Sequence, residues 1–117
     1  MLKLSAVIKS KPFQLTEVDG TDIDLEVTEF TVGDVTRLIN IQRPIVEDKD
    51  LSIVEQSEMI QLSRLVCSVK LAGTDTPYWG SIQDFKSRRY PVSLLNVIYP
   101  FVMEFNPIKI DVEEKKS

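Results

Sequence analysis

The sequence predicts one α+β domain, mainly helical, in which an N-terminal antiparallel β-hairpin or small sheet precedes about four helices. Three observations point there. Apolar residues alternate with period two from Leu2 to Val27 around an Asp19-Gly20 pair. Beyond Phe30 the apolar spacing lengthens to three and four residues. Ser or Thr followed three residues later by an acid, together with prolines and Gly73, punctuates that helical part. At 117 residues the chain has room for one core. The domain is expected over residues 1–112, with residues 113–117 as a flexible tail.

The elements follow in order. Leu2, Leu4, Ala6 and Ile8 have the alternation of a half-buried strand, which Lys11-Pro12 should end. A hairpin is expected over residues 13–18 and 21–29, because Asp-Gly between alternating runs favours the tight turn. Thr31 with Asp34 opens a first helix over 32–42, carried by Val35, Leu38 and Ile39 and stopped by Pro44. Glu47-Asp48-Lys49-Asp50 reads as a solvated connection. Ser52 with Glu55 opens a second helix over 53–70. Its apolar stripe is Met59, Leu62, Val66 and Val69, widened by Ile53, Ile60 and Leu65, and its polar face includes Arg64 and Lys70.

Gly73 and Thr74-Asp75-Thr76-Pro77 supply a turn. Ser81 with Asp84 caps a short third helix ending near Ser87, with Arg88-Arg89 at its carboxyl end. Pro91 starts a fourth, in which Leu95, Ile98, Val102 and Phe105 recur at helical spacing; Pro100 should kink it and Asn106-Pro107 should end it. Ile108, Ile110 and Val112 suggest a weak edge strand.

Composition narrows the chemistry. A net charge of -4, from 14 basic and 18 acidic side chains spread along the chain, leaves no basic stripe for a nucleic acid. No apolar run approaches the ~20 residues of a membrane helix. The amino terminus lacks the long apolar region and cleavage site of a leader and reads as part of the fold. A single cysteine suits a reducing compartment. Histidine is absent, which removes the commonest general base and zinc ligand. No enzyme, metal or cofactor is expected.

Individual candidates have plain structural readings. Cys67 lies mid-helix without a histidine to activate it and reads as a small buried hydrophobe. Glu47, Asp48 and Asp50 lack the glycine and terminal glutamate of a calcium loop. Asp19 and Asp22 are explained by the hairpin turn, and the four glycines are too scattered to cradle phosphate. Lys86, Arg88, Arg89 and Tyr90 form the only compact basic patch, read as a favourable helix end. Partner binding is a stronger theme. Tyr78 and Trp79 are of the types that anchor interfaces, although Trp79 can equally pack over the turn. The last helix offers more apolar positions than one core-facing stripe uses, so Leu94, Val97, Phe101 and Phe105 join Tyr78 and Trp79 as expected partner-binding residues.

The order of elements resembles the tail assembly chaperones of long-tailed bacteriophages. The resemblance runs from about residue 30 to 106. It is carried by Phe30-Thr31-Val32-Gly33-Asp34 entering a helix, Leu65-Val66-Cys67-Ser68-Val69 ending one, a Gly/Asp turn, an aromatic, a short helix, and Leu94-Leu95-Asn96-Val97-Ile98 in a last helix closing at an asparagine. The chain departs from that pattern at Ala72-Gly73-Thr74-Asp75 and at Pro100. The resemblance implies a non-enzymatic assembly factor that keeps the tape measure protein soluble while tail-tube protein polymerises around it. Its partners would also include a frameshifted longer form of itself and further copies in a homo-oligomer. It would act in the host cell cytoplasm and be absent from the mature virion. Lys115-Lys116 can be encoded by an adenine-rich slippery run of the kind frameshifting uses. The alternative is a structural head-tail or baseplate adaptor that stays in the particle.

Overall fold

Alternation and one glycine build the first layer. The computed structural model describes residues 1–107. Within them β1 (Ser10–Thr16) and β2 (Asp22–Thr28) form an antiparallel hairpin, with Phe13 opposite Leu25 and Leu15 opposite Ile23. Gly20 takes φ +91°, a conformation that disfavours any Cβ, while the Thr21 amide donates to Asp19 Oδ1 at 2.9 Å. Leu15, Leu25 and Val27 are buried, and Asp22, Asp24 and Gln14 stay on the solvent face.

Two expectations about the amino terminus are corrected. Residues 1–9 form no strand, and Leu2, Leu4 and Val7 are more than four-fifths exposed. Alternation alone makes a strand only when an edge is present to pair with. Nor does Lys11-Pro12 end a strand; it lies within β1. Glu29 N donates to Lys9 O and Glu17 N to Thr21 O, so the odd-numbered residues of β1 bond to β2. The missing N–H of Pro12 therefore faces the outer edge, where it costs no ladder bond and discourages another strand from adding.

α1 (Val32–Glu47) starts at a complete capping box: the Asp34 amide donates to Thr31 Oγ1 at 3.2 Å and the Thr31 amide to Asp34 Oδ2 at 2.9 Å. Its inward line is Asp34, Leu38, Ile41 and Ile45, whereas Val35 and Ile39 are 41% and 48% exposed. The expected stop at Gln42 is overturned, because the helix runs through Pro44 to Glu47. Pro44 leaves the carbonyl of Asn40 without its helical donor, and Asn40 is exposed, so water can supply one. Gln56 Nε2 then holds the Ile45 and Val46 carbonyls at 3.1 and 3.4 Å. α4 (Val92–Phe105) repeats the device: it continues through Pro100, whose freed partner carbonyl belongs to exposed Asn96.

α2 (Ile53–Ser68) begins at the Ser52–Glu55 capping box and packs antiparallel to α1, with Gln42 bonded to Ser63 and Arg37 to the Val66 carbonyl. Leu62, Leu65 and Val66 are buried, but Ile53 is 86% exposed. The helix does not reach Lys70 as expected. It passes at Val69 directly into β3 (Val69–Leu71), which pairs with β2 through Val27 opposite Val69 and Leu25 opposite Leu71. Thr28 and Ser68 lock this junction by exchanging side-chain to backbone hydrogen bonds at 3.2 and 2.7 Å. The result is a three-stranded antiparallel sheet, order β1-β2-β3, covered by helices. The outer edge of β3 is occupied by the following segment, where Leu71 N donates to Thr76 O and Tyr78 N to Val69 O.

α3 (Ile82–Ser87) is capped by Ser81, whose Oγ accepts from the Asp84 amide. α4 closes on Asn106, a buried side chain that accepts from Phe30 N at 2.6 Å and donates to the Thr28 and Val102 carbonyls, both at 3.1 Å. Helix end, sheet end and the entry to α1 meet at that one amide. The expected edge strand through Ile108, Ile110 and Val112, the domain limit at residue 112, the tail 113–117 and Lys115-Lys116 lie outside the described residues.

Candidate functional site

The six residues expected to meet a partner do not share a surface. Trp79 is fully buried, which corrects the reading that makes it an interface anchor. Its ring meets Phe85 edge-on at 4.8 Å and Tyr78 at 5.3 Å between centroids, and its indole N–H donates to Tyr90 Oη at 3.0 Å. Arg37 holds the surrounding turn by donating to the carbonyls of Trp79 and Gly80. Tyr78 is half-buried and donates to Glu17 at 2.6 Å. Leu94, Phe101 and Phe105 are partly buried against the core, and Lys11 Nζ lies 4.9 Å from the Phe101 ring centre. Val97 alone of the six is freely exposed, at 64%.

The buried line of α4 is Ile98 and Val102, two members of the expected stripe, and the expected partner-binding residues Leu94, Val97, Phe101 and Phe105 run along its flank. Leu94, Phe101 and Phe105 on that flank pack against the core. What remains outward on α4 is Val97 and, at its start, Val92. Sequence reasoning missed other exposed apolar positions: Val32 and Val46 on α1 and Val54 on α2. The missing signal is which face of each helix the sheet occupies, and that depends on β3.

Glu17 organises a polar cluster. Its Oε2 accepts from Tyr78, from Tyr90 at 2.5 Å and from Arg88 at 3.2 Å, so the basic patch of residues 86–90 is partly spent inside the molecule. Burial pushes the Glu17 carboxyl upward, but the two tyrosine hydroxyls and the Arg88 charge together bring it below its ordinary value. Burial and the same carboxylate hold the Tyr78 and Tyr90 hydroxyls above theirs. A depressed carboxylate stabilises the fold fully above its unfolded value of 4.5 and loses that contribution as pH falls through the lower folded value. Glu17→Gln should therefore cost about 2 kcal/mol at pH 7, with the gap to wild type closing in acid. Denaturant titrations at several pH values measure it; a pH-independent gap would mean that the charge of Glu17 is immaterial.

Two further titratable groups are interior. Lys70, 1% exposed, bonds Asp34 at 2.7 Å and Asp75 at 2.8 Å. It lies on β3 and not on the polar face of a helix, another correction to the sequence reading. Burial pushes the Cys67 thiol up to about 11, which leaves it protonated and unreactive at neutral pH.

Among the described residues no group of three or more His, Cys, Asp or Glu side chains could hold a metal ion, and no helix is long and apolar enough to cross a membrane. Every buried side-chain nitrogen and oxygen among them has a hydrogen-bond partner, so none is left aimed at a ligand. Comparison with known protein families, with curated proteins and with solved structures finds no match to this chain.

Proposed function

We propose that this chain is a binding protein that acts as a phage tail assembly chaperone, holding the tape measure protein soluble during tail-tube assembly. Two things support the reading: the pattern resemblance over residues 30–106, and apolar side chains presented on helices of a domain whose polar interior is internally satisfied. The single observation that carries it is the outward pair Val92 and Val97 on α4, 71% and 64% exposed, on an element that is otherwise well packed. Exposed apolar groups on a rigid helix suit reversible capture of an amphipathic helical client.

The test is co-expression with a phage tape measure protein. Its soluble fraction should rise and the two should co-purify. Unchanged precipitation without co-purification counts against the reading. Val92→Glu with Val97→Glu should weaken capture at least about tenfold, since a charge in an apolar contact costs a kcal/mol or more. The fold should lose no more than about 0.5 kcal/mol, as for other surface changes. Pull-down yield and thermal melting measure the two effects separately.

A further inference from the structure

A cavity of about 370 Å³ opens between α2, α3 and the start of α4, floored by Leu62, Phe85 and Leu95 and walled by Val92. Its rim is basic. Lys86 faces Glu58 across 3.6 Å with both side chains about half exposed, a contact too solvated to be worth much. Arg89 joins none of the ion pairs among the described residues. Arg89 is also the only described residue other than glycine at positive φ, +57°, where the backbone favours glycine. The fold thus carries a strained, uncommitted cation beside an apolar groove.

The complementary surface is on the same chain. The tip of the α1–α2 hairpin presents Val46, Ile53 and Val54, which are 62%, 86% and 77% exposed. Around them stand Glu47, Asp48, Asp50 and Glu55 against a single Lys49, all exposed. One element is an apolar knob with acidic flanks and the other an apolar groove with a basic rim. Val54 precedes Glu58 by four residues on α2, so Val54 and the groove lie on one side of the helix, while Ile53 turns to the face of Gln56, Ser57 and Ile60. A face with acidic and basic halves is self-complementary about a two-fold axis.

We propose that two copies of this chain associate through this face, the Val54 knob of each entering the groove of the other and the acids around it meeting Lys86 and Arg89. The apolar groups are removed from water, and the charges set register and exclude the parallel arrangement, in which like charges would meet. This dimer covers Val92 and leaves Val97 outward for a client, so it does not rest on the chaperone reading: sedimentation tests the dimer and capture tests the client.

Charge reversal across the two copies tests it, with sedimentation equilibrium of the full chain as the readout. Wild type should reach twice the 13.4 kDa chain mass. K86E with R89E, and separately E47K with D50K, should each raise the dimer dissociation constant at least about tenfold. In each variant alone, both contacts become like-charged. Mixed together, the two variants pair acidic groove with basic knob and basic groove with acidic knob, so the heterodimer should recover wild-type affinity to within about threefold. All four positions are exposed, and unchanged circular dichroism establishes that each variant folds. Three results overturn the proposal: a wild-type monomer at about 100 μM, a dimer indifferent to both reversals, or reversal without recovery on mixing. The first would leave the groove to a foreign partner, and the others would move the dimer to another face.

Discussion

Trp79→Ala should destabilise the domain by about 4 kcal/mol, the usual cost of deleting a buried aromatic ring. For a domain of this size that corresponds to a fall in melting temperature of about 16 °C. The ring is fully buried, packs edge-on against Phe85 and Tyr90, and gives its N–H to the Tyr90 hydroxyl. Its loss leaves a cavity between α3 and the sheet. It also frees Tyr90, one of the donors that hold Glu17. Trp79→Phe, which keeps part of the volume but not the donor, should cost roughly half as much. Denaturant unfolding is the measurement, with the midpoint moving and the slope unchanged. Partner capture by the alanine variant should fall only with the folded fraction. A fully folded variant losing less than about 1 kcal/mol would place the indole at the surface after all.

Lys70→Met should cost about 3–5 kcal/mol, the range for removing one member of a buried ion pair. The substitution strands Asp34, 6% exposed, without its cation, while the Thr31 amide remains its only backbone donor. The exposed partner Asp75 can turn to water and contributes little. Asp34→Asn keeps a capping acceptor for Thr31, so Lys70→Met with Asp34→Asn should recover part of the loss, with a coupling of about 2 kcal/mol in the double-mutant cycle. Additive losses would sink the claim that the two side chains act as a pair. The wild-type pair also predicts an alkaline signature. Burial alone would lower the Lys70 value, yet the hydrogen bonds and charges of Asp34 and Asp75 raise it above 10.5. A raised lysine stabilises the fold below 10.5 and loses that contribution as pH climbs through the higher folded value. Lys70→Met should lack that loss.

Local chemistry was legible in the sequence and tertiary choice was not. The hairpin around Asp19-Gly20 and the caps at Thr31, Ser52 and Ser81 depend on residues within a few positions of one another, and each forms where its spacing places it. The α+β order follows from them. Val69 and Lys70 continue the helical period of α2, and only the waiting edge of β2 draws them into a strand. The local cost of Pro44 predicts a stop, but the buried side chain of Ile45 and the reach of Gln56 favour one more turn. At the candidate surface, Val97 is exposed, while Trp79 is drawn inward by Phe85, Tyr90 and Arg37, all distant from it in sequence or joined through turns. The Glu17 cluster joins residues more than 60 positions apart and leaves no trace in any local window.

The direct passage of α2 into β3 leaves that strand no slack. A strand tethered by a loop can slide along its neighbour until the best pairing is found, but here the last helical turn sets where Val69 begins. A slip of one residue would exchange the faces of Val69 and Leu71 with that of Lys70, taking its ammonium from Asp34 and Asp75 into the apolar core. It would also require α2 to shift along its axis and break the Thr28–Ser68 exchange. Helix position and sheet register are therefore a single decision in folding, and misregistered assembly of this sheet has no low-energy form.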